Sequence, residues 1–336
     1  MPVRVTIFMR RPRPGLNFSI ESIFQGLVAS FSPEFQARVV VSKYFSNGFL
    51  PRFYNTFEAA FRQSDVNHVS GDVHFLTYLL SRKRTLLTVH DCGTIVGRMN
   101  MRKWFLKILW FTIPARRSAV TVVTTSVNRA DLIRLANVPP EKVRVIPVFV
   151  SARFERNPKP FNAACPEILH VGTRPNKNLP RLITALAGLS CHLSVVGELS
   201  ADDRALLTRH RVSHTSYLNL SDDEMVERYN RCDIVAFAST FEGFGMPIIE
   251  GNQVGRPVLT SNVTSLPEVA GDAACLVDPY DVSAIRAGLD RIIFDEAYRT
   301  QLVRNGFENA KRFERLVITR QYEEIYRELY ANSGAG

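Results

Sequence analysis

Two carboxylates, Glu242 and Glu250, stand eight residues apart across a loop that holds Gly243, Gly245 and Pro247. A short apolar run, Ile234 to Ala238, leads into this loop, and a segment with helical spacing follows the proline. A strand, a tight loop and a helix opened by proline leave unpaired N–H groups at the mouth of a parallel sheet, where an anion can be held. One carboxylate then lies in the loop and the other on the first turns of the helix. This arrangement suits a polyol or a nucleotide ribose beside a phosphate. Glu242 would accept from sugar hydroxyls, Glu250 from ribose, and Phe244 would wall the pocket. The plainer alternative is a satisfied loop carboxylate and a solvated helix glutamate.

A second constellation lies upstream in HVGTRPNKNLPRLITAL. Gly172 falls at a strand end, Arg174 and Lys177 follow, and a helix starts near Asn178 or Pro180. Glycine lets a ligand approach the backbone, and two cations near a positive helix end can neutralise a diphosphate. Contacts of this charged kind are worth roughly 1.5 to 3 kcal/mol each. An ordinary basic turn is the alternative. Asn67-His68 and His90-Asp91 are placed at strand ends, where open α/β sheets carry ligands.

Such residues need an α/β framework to position them. At 336 residues the chain exceeds the size at which one core stops growing, so two domains are expected. Val3 to Phe8 predicts the first strand, followed by a basic loop from Arg10 to Gly15 and a helix capped by Asn17 or Ser19. Further β-branched runs occur at Arg38–Val41, Leu86–Val89, Val120–Thr124 and Val143–Ile146. A second series begins at Ile168–Val171 and continues through Leu193–Val196, Ile234–Ala238, Val258–Thr260 and Ala274–Val277. Segments between them, such as Leu179–Ala187, Asp222–Arg231 and Ser283–Phe294, suit helices, which predicts parallel sheets covered on both faces. The expected division is a first domain at 1–150, a linker at 151–166 rich in proline, a second domain at 167–309, and a helix at 310–330 able to cross back to the first. No GxGxxG follows the first strand, so NAD is not expected.

The 42 Lys and Arg against 32 Asp and Glu give a net charge of +10, which favours anionic partners. From Cys92 through Ala130 there is no acidic residue, and MRKWFLKILWFTIP mixes aromatic and basic residues. The 98–117 segment predicts either an interfacial helix on an anionic membrane or an ordinary helix with a solvated basic edge. The five cysteines form no CxxC pair, and neither a secretion signal nor a long apolar span is evident, so a cytoplasmic protein with free thiols is expected.

The chain resembles the family 4 glycosyltransferases. The resemblance rests on HVGTRPNKNL, VVGE at Val195 to Glu198, EGFGMPIIEG with its E-x7-E pattern, SLPEVAGDAACLVDP, TVHDCG at Thr88 to Gly93 and TTSVNRADL at Thr124 to Leu132. It implies a GT-B fold, with two facing Rossmann-like domains, and a retaining enzyme that uses a nucleotide-diphosphate sugar. Carried onto this sequence, it places Glu242 beside the donor sugar and Glu250 on the ribose. Phe244, Gly245 and Met246 match the loop near sugar and phosphate, Lys177 the lysine on the diphosphate, and His90 the histidine near donor sugar and acceptor. Ser126 matches a strand-end serine, and Gly15 the glycine of the first loop near the phosphates. The chain departs from the family at Thr173 and Asn176, where basic residues are usual, and lacks the glycine usual near 146–150.

The implied chemistry is sugar transfer with retention. Lys177, Arg174 and helix-end N–H groups stabilise the departing diphosphate, and Glu242 orients the donor rather than attacking it. His90 would act through its ring or through its backbone carbonyl. No DxD-like pair demands a metal, so transfer without a metal or other cofactor is expected, from a UDP- or GDP-sugar to a glycan or lipid-linked acceptor. Two other readings stand beside this one: a sugar phosphorylase-like transferase, and a basic protein binding nucleic acid or membrane. No recognised nucleic-acid module accompanies the charge.

Overall fold

The computed structural model describes residues 1–12, 19–93 and 100–332. Gly15, expected near the phosphates, lies outside them, as do Asn17 and Arg98. The chain divides into two compact units, Met1–Phe149 with Arg315–Gly336, and Val150–Glu314.

In the first unit the strands are β1 (Val3–Met9), β2 (Phe35–Val41), β3 (Val66–Val69), β4 (Thr85–Val89), β5 (Val120–Val123) and β6 (Val143–Val145). They form one sheet in the order β2-β1-β3-β4-β5-β6, with parallel pairing throughout. Its helices are α1 (Ser19–Val28), α2 (Phe49–Phe61), α3 (Met101–Leu106), α4 (Ile113–Arg117) and α5 (Ser126–Ala136). Strands β3 to β5 are buried along their whole length, because helices cover a parallel sheet on both faces. Asn67 and His68 are not at a strand end but inside β3. The His68 ring lies 2.6 Å from the Tyr326 hydroxyl and 2.8 Å from Thr88 Oγ1, and burial pushes its pKa down to about 3. It is a neutral core histidine, satisfied on both nitrogens.

The second unit contains β7 (Glu167–Val171), β8 (His192–Val196), β9 (Ser213–Tyr217), β10 (Ile234–Phe237), β11 (Val258–Ser261) and β12 (Cys275–Val277). Their order, β12-β11-β10-β7-β8-β9, is the 3-2-1-4-5-6 order of a Rossmann sheet. Helices α6 (Leu179–Ala185), α7 (Ala201–His210), α8 (Asp222–Arg231), α9 (Met246–Val254), α10 (Leu266–Ala270), α11 (Val282–Phe294) and α12 (Glu296–Lys311) surround it. Ser200 with Asp203 and Ser221 with Glu224 form capping boxes that start α7 and α8.

Residues 151–166, expected as a linker, are bound to this second unit. Phe154 is buried, the Asn157 N–H donates to Val254 O, and Lys159 pairs with Asp233 at 2.9 Å. The expected helix at 310–330 is interrupted, because α12 ends at Lys311 and α13 (Arg315–Ala331) is separate. Ile318, Tyr322, Ile325, Tyr326 and Leu329 of α13 pack in one core with Val5, Ile7 and Val66 of the first unit. The 98–117 segment is likewise no continuous α-helix, since a π-helical stretch, Lys107–Thr112, separates α3 from α4. No helix among the described residues is long and apolar enough to cross a membrane.

Candidate active site

Strands β7 and β10 are neighbours in the second sheet, yet the chain leaves them towards opposite edges. That makes their carboxyl ends the switch point of a Rossmann sheet, where a crevice for a ligand forms. Gly172 ends β7 with φ +93°, and a Cβ there would stand 3.1 Å from the Lys177 side chain. Glycine at this position therefore makes room for the lysine stem, which is a more specific requirement than close approach of a ligand. A 3₁₀ turn, Pro175–Lys177, follows and presents the ammonium group.

Lys177 Nζ lies 2.7 Å from Glu242 Oε1 in the loop after β10. The two side chains are only 21% and 14% exposed, so solvent screens the pair weakly. The sequence-predicted lysine and first glutamate, 65 residues apart, thus meet at the switch point. Asn176 ties the same loops together: its side-chain amide donates to Phe241 O at 2.9 Å, and its carbonyl accepts from the Thr240 N–H at 2.8 Å. Here a neutral amide replaces the base usual in the family, and it binds a neighbouring loop. Asn178 adopts φ +64° while its buried amide donates to Ala238 O at 2.9 Å and Pro279 O at 2.7 Å. Asn178 is thus more than a helix start, and asparagine's tolerance of the left-handed region is the sequence signal for it.

The glycine-rich loop closes with Gly245 at φ +117° before α9. A Cβ at Gly245 would come within 2.7 Å of Leu266, so both space and backbone demand glycine. Ser265 Oγ donates to the carbonyls of Glu242 and Phe244, each at 2.9 Å, and fixes the loop from α10's side. Phe244 does not wall a pocket. Its ring is buried edge-to-face against Phe313 at 5.7 Å, because the apolar side chain gains more from the core than from a solvated loop. Met246 is half-buried at the first turn of α9.

Glu250 lies one turn further along α9, and its Oε2 accepts from the Tyr229 hydroxyl at 2.5 Å. Burial pushes its carboxyl up to about 7, against the opposing effects of the Tyr229 hydroxyl and the Lys177 charge. It is no solvated helix glutamate. Tyr229 was missed, and no local signal could reveal it, since it comes from α8, 21 residues away. Arg174 is exposed ahead of the 3₁₀ turn, outside the Lys177–Glu242 pair.

His90 follows β4 in the first unit. Its Nε2 donates to Ser70 O at 2.9 Å, which fixes the plane of the ring. The His90 carbonyl already accepts from Thr124 Oγ1 at 3.2 Å and Asn128 Nδ2 at 3.0 Å. Ser126 opens α5.

Two family descriptions match the chain in succession, "Glycosyltransferase Family 4" over residues 2–154 and "Glycosyl transferases group 1" over residues 151–309. The chain belongs to the family 4 glycosyltransferases. Its two Rossmann-like units with six parallel strands each, among the described residues, constitute a GT-B fold. The O-antigen chain mannosyltransferase B of Escherichia coli is 32% identical over 222 residues, covering 58% of this chain and 57% of that protein. The MMP α-(1→4)-mannosyltransferase of Mycolicibacterium hassiacum is 27% identical over 226 residues, covering 62% of this chain and 54% of that one. The chain thus spans little more than half the length of these relatives. Among solved structures, that of Anabaena HepE in complex with UDP and glucose has a TM-score of 0.75 at 16% identity, covering 97% of this chain and all of that one.

Proposed function

We propose that this glycosyltransferase moves a hexosyl group from a UDP- or GDP-sugar to a hydroxyl of a glycan or lipid-linked acceptor, with retention, in the biosynthesis of a polysaccharide or lipopolysaccharide. The observation that carries the reading is the Lys177–Glu242 pair at the β7/β10 switch point, with Glu250 and its raised pKa on the adjoining helix. Lys177 takes the donor's diphosphate and Glu242 the hydroxyls of its sugar, so the 2.7 Å pair holds each group ready for the other's ligand. Backbone N–H groups at the start of α9 face the same negative charge as it develops on the leaving group. Glu250 keeps Oε2 on Tyr229 and offers Oε1 to a ribose hydroxyl. Arg174, exposed beside the lysine loop, adds a second cation to the phosphates. His90 contributes its ring on the acceptor side. Lysine, arginine and helix-end dipoles supply the charge that a divalent ion would otherwise supply, and transfer proceeds without added metal.

The named relatives favour a mannosyl group and the HepE complex a uridine diphosphate, so both nucleotide classes belong in the test. Purified protein is incubated with a panel of UDP- and GDP-sugars and glycan acceptors, with and without chelator, and products are read by mass spectrometry. One donor giving a mass increment of one hexose, lost in Glu242→Gln and indifferent to chelator, is the expected result. Phosphorolysis of a glycan with no transfer from any nucleotide sugar would favour the phosphorylase-like reading instead.

A further inference from the structure

Helix α2 is turned inside out for a helix in water. Its buried residues are Asn55, Thr56 and Ala59, while Phe49, Phe53, Phe57 and Phe61 are 78%, 59%, 52% and 77% exposed. The four recur every fourth residue, so their rings form a ladder with centroids 6.1, 6.4 and 5.0 Å apart. A helix ordinarily puts such a stripe into the core. Here the stripe faces outward and needs an apolar partner.

Beside the ladder, the first sheet has its own switch point. The chain leaves β1 for β2 on one side and returns to β3 on the other, so the carboxyl ends of β1 and β3 frame a crevice. A cavity of about 310 Å³ lies there, lined by Arg10, Arg11 and Asp72 from those ends, by Arg52 of α2, and by Leu106 and Trp110. Asp72 pairs with Arg10, so among these lining residues Arg11 and Arg52 carry charge in excess. Arg11 Nη1 donates to Lys43 O at 2.7 Å and Arg52 Nε to Ser46 O at 2.9 Å, which fixes both guanidinium groups. Glu58, the acid on α2, is paired with Arg62. Trp104, Phe105, Leu106 and Leu109 are exposed as well, and Leu106 lines the cavity.

We propose that the first unit docks on a bilayer containing anionic phospholipid, with the phenylalanine ladder of α2 between acyl chains and a lipid phosphate in the arginine cavity. Apolar side chains at the level of the acyl boundary and guanidinium groups at the level of the headgroups are what an interfacial surface requires. The arginines match a phosphate, whereas a second copy of this basic chain would set their charges against one another. This assignment is independent of the sugar-transfer reading, because vesicle binding needs neither donor nor turnover.

The test is flotation of the full chain with vesicles of phosphatidylglycerol and phosphatidylcholine, against vesicles of phosphatidylcholine alone. The wild type floats with the anionic vesicles. Phe53→Asp/Phe57→Asp and, separately, Arg11→Gln/Arg52→Gln each lower the partition by about tenfold or more. Phe53→Gln/Phe57→Gln, which adds no charge, reproduces the loss, and an unchanged thermal transition shows each variant folded. Flotation unaffected by the phenylalanine variants overturns the proposal, as does equal flotation on neutral vesicles. So does a dimer in sedimentation without lipid that the phenylalanine variants dissociate, since the ladder's partner would then be a second copy.

Discussion

The carboxyl of Glu250 makes folding depend on pH in a direction opposite to that of an ion-paired acid. Its ordinary value of 4.5 rises to about 7 in the folded chain, chiefly through burial. Below pH 4.5 it is neutral in both states and costs nothing. Between 4.5 and about 7 the folded state keeps a proton that the unfolded state has released, so stability falls as pH rises across that window. The gap between the two values corresponds to roughly 3 kcal/mol, fully expressed above the folded value. The perturbation is Glu250→Gln, which cannot ionise. Urea unfolding at pH 5 and pH 8, at one ionic strength, gives the stability of variant and wild type at each pH. Relative to the variant, the wild type is expected to lose about 2.5 kcal/mol between the two, the rest of the gap being already expressed at pH 5. Tyr229→Phe removes the hydroxyl that stabilises the carboxylate, and at pH 8 it should cost a further 1.5 to 3 kcal/mol, roughly. Wild type and Glu250→Gln responding alike to pH would refute the burial argument. The same titration acts on binding: a ribose hydroxyl donates to a carboxylate better than to a carboxyl, so nucleotide affinity should rise through pH 7.

Three other substitutions probe how the loops are held and what His90 does. Asn178→Ala removes two buried hydrogen bonds and leaves alanine at φ +64°, and should lower stability by roughly 2 to 4 kcal/mol in denaturant titration. Gly245→Val puts a Cβ 2.7 Å from Leu266 at φ +117°, and a loss of roughly 1 to 3 kcal/mol is expected from thermal unfolding. His90→Ala, remote in sequence from the Lys177–Glu242 loops, should lower the turnover rate while leaving the donor dissociation constant unchanged in titration calorimetry.

Much of this architecture was legible because parallel strands buried on both faces read as plain apolar runs. Ile234–Phe237 and Val258–Ser261 were found within a residue or so for that reason. Strand β9, SHTSY, carries no such run, since it lies at the sheet edge and is largely exposed or half-buried. Strand β3 hid behind Asn67 and His68, polar residues whose partners come from distant elements such as Tyr326. Helix α2 was unreadable because its polar side is the buried one. At the candidate site, the charged residues and glycines were visible in the sequence, and Lys177 and Glu242 lie 2.7 Å apart in the structure. What sequence could not supply was the burial of Phe244 against Phe313, the hydroxyl of Tyr229 on Glu250, and the two distant carbonyls that hold Asn178. Each depends on a side chain brought in by tertiary packing.

The central claim, that the β7/β10 loops hold the phosphates of a nucleotide sugar, is tested most directly by titrating UDP and GDP into wild type, Lys177→Ala and Lys311→Ala. One of the nucleotides should bind the wild type, Lys177→Ala should weaken it by about tenfold or more, and Lys311→Ala, whose ammonium pairs with Glu308 at the surface, should match the wild type. Undiminished affinity in Lys177→Ala, or no binding of either nucleotide to the wild type, would contradict the account.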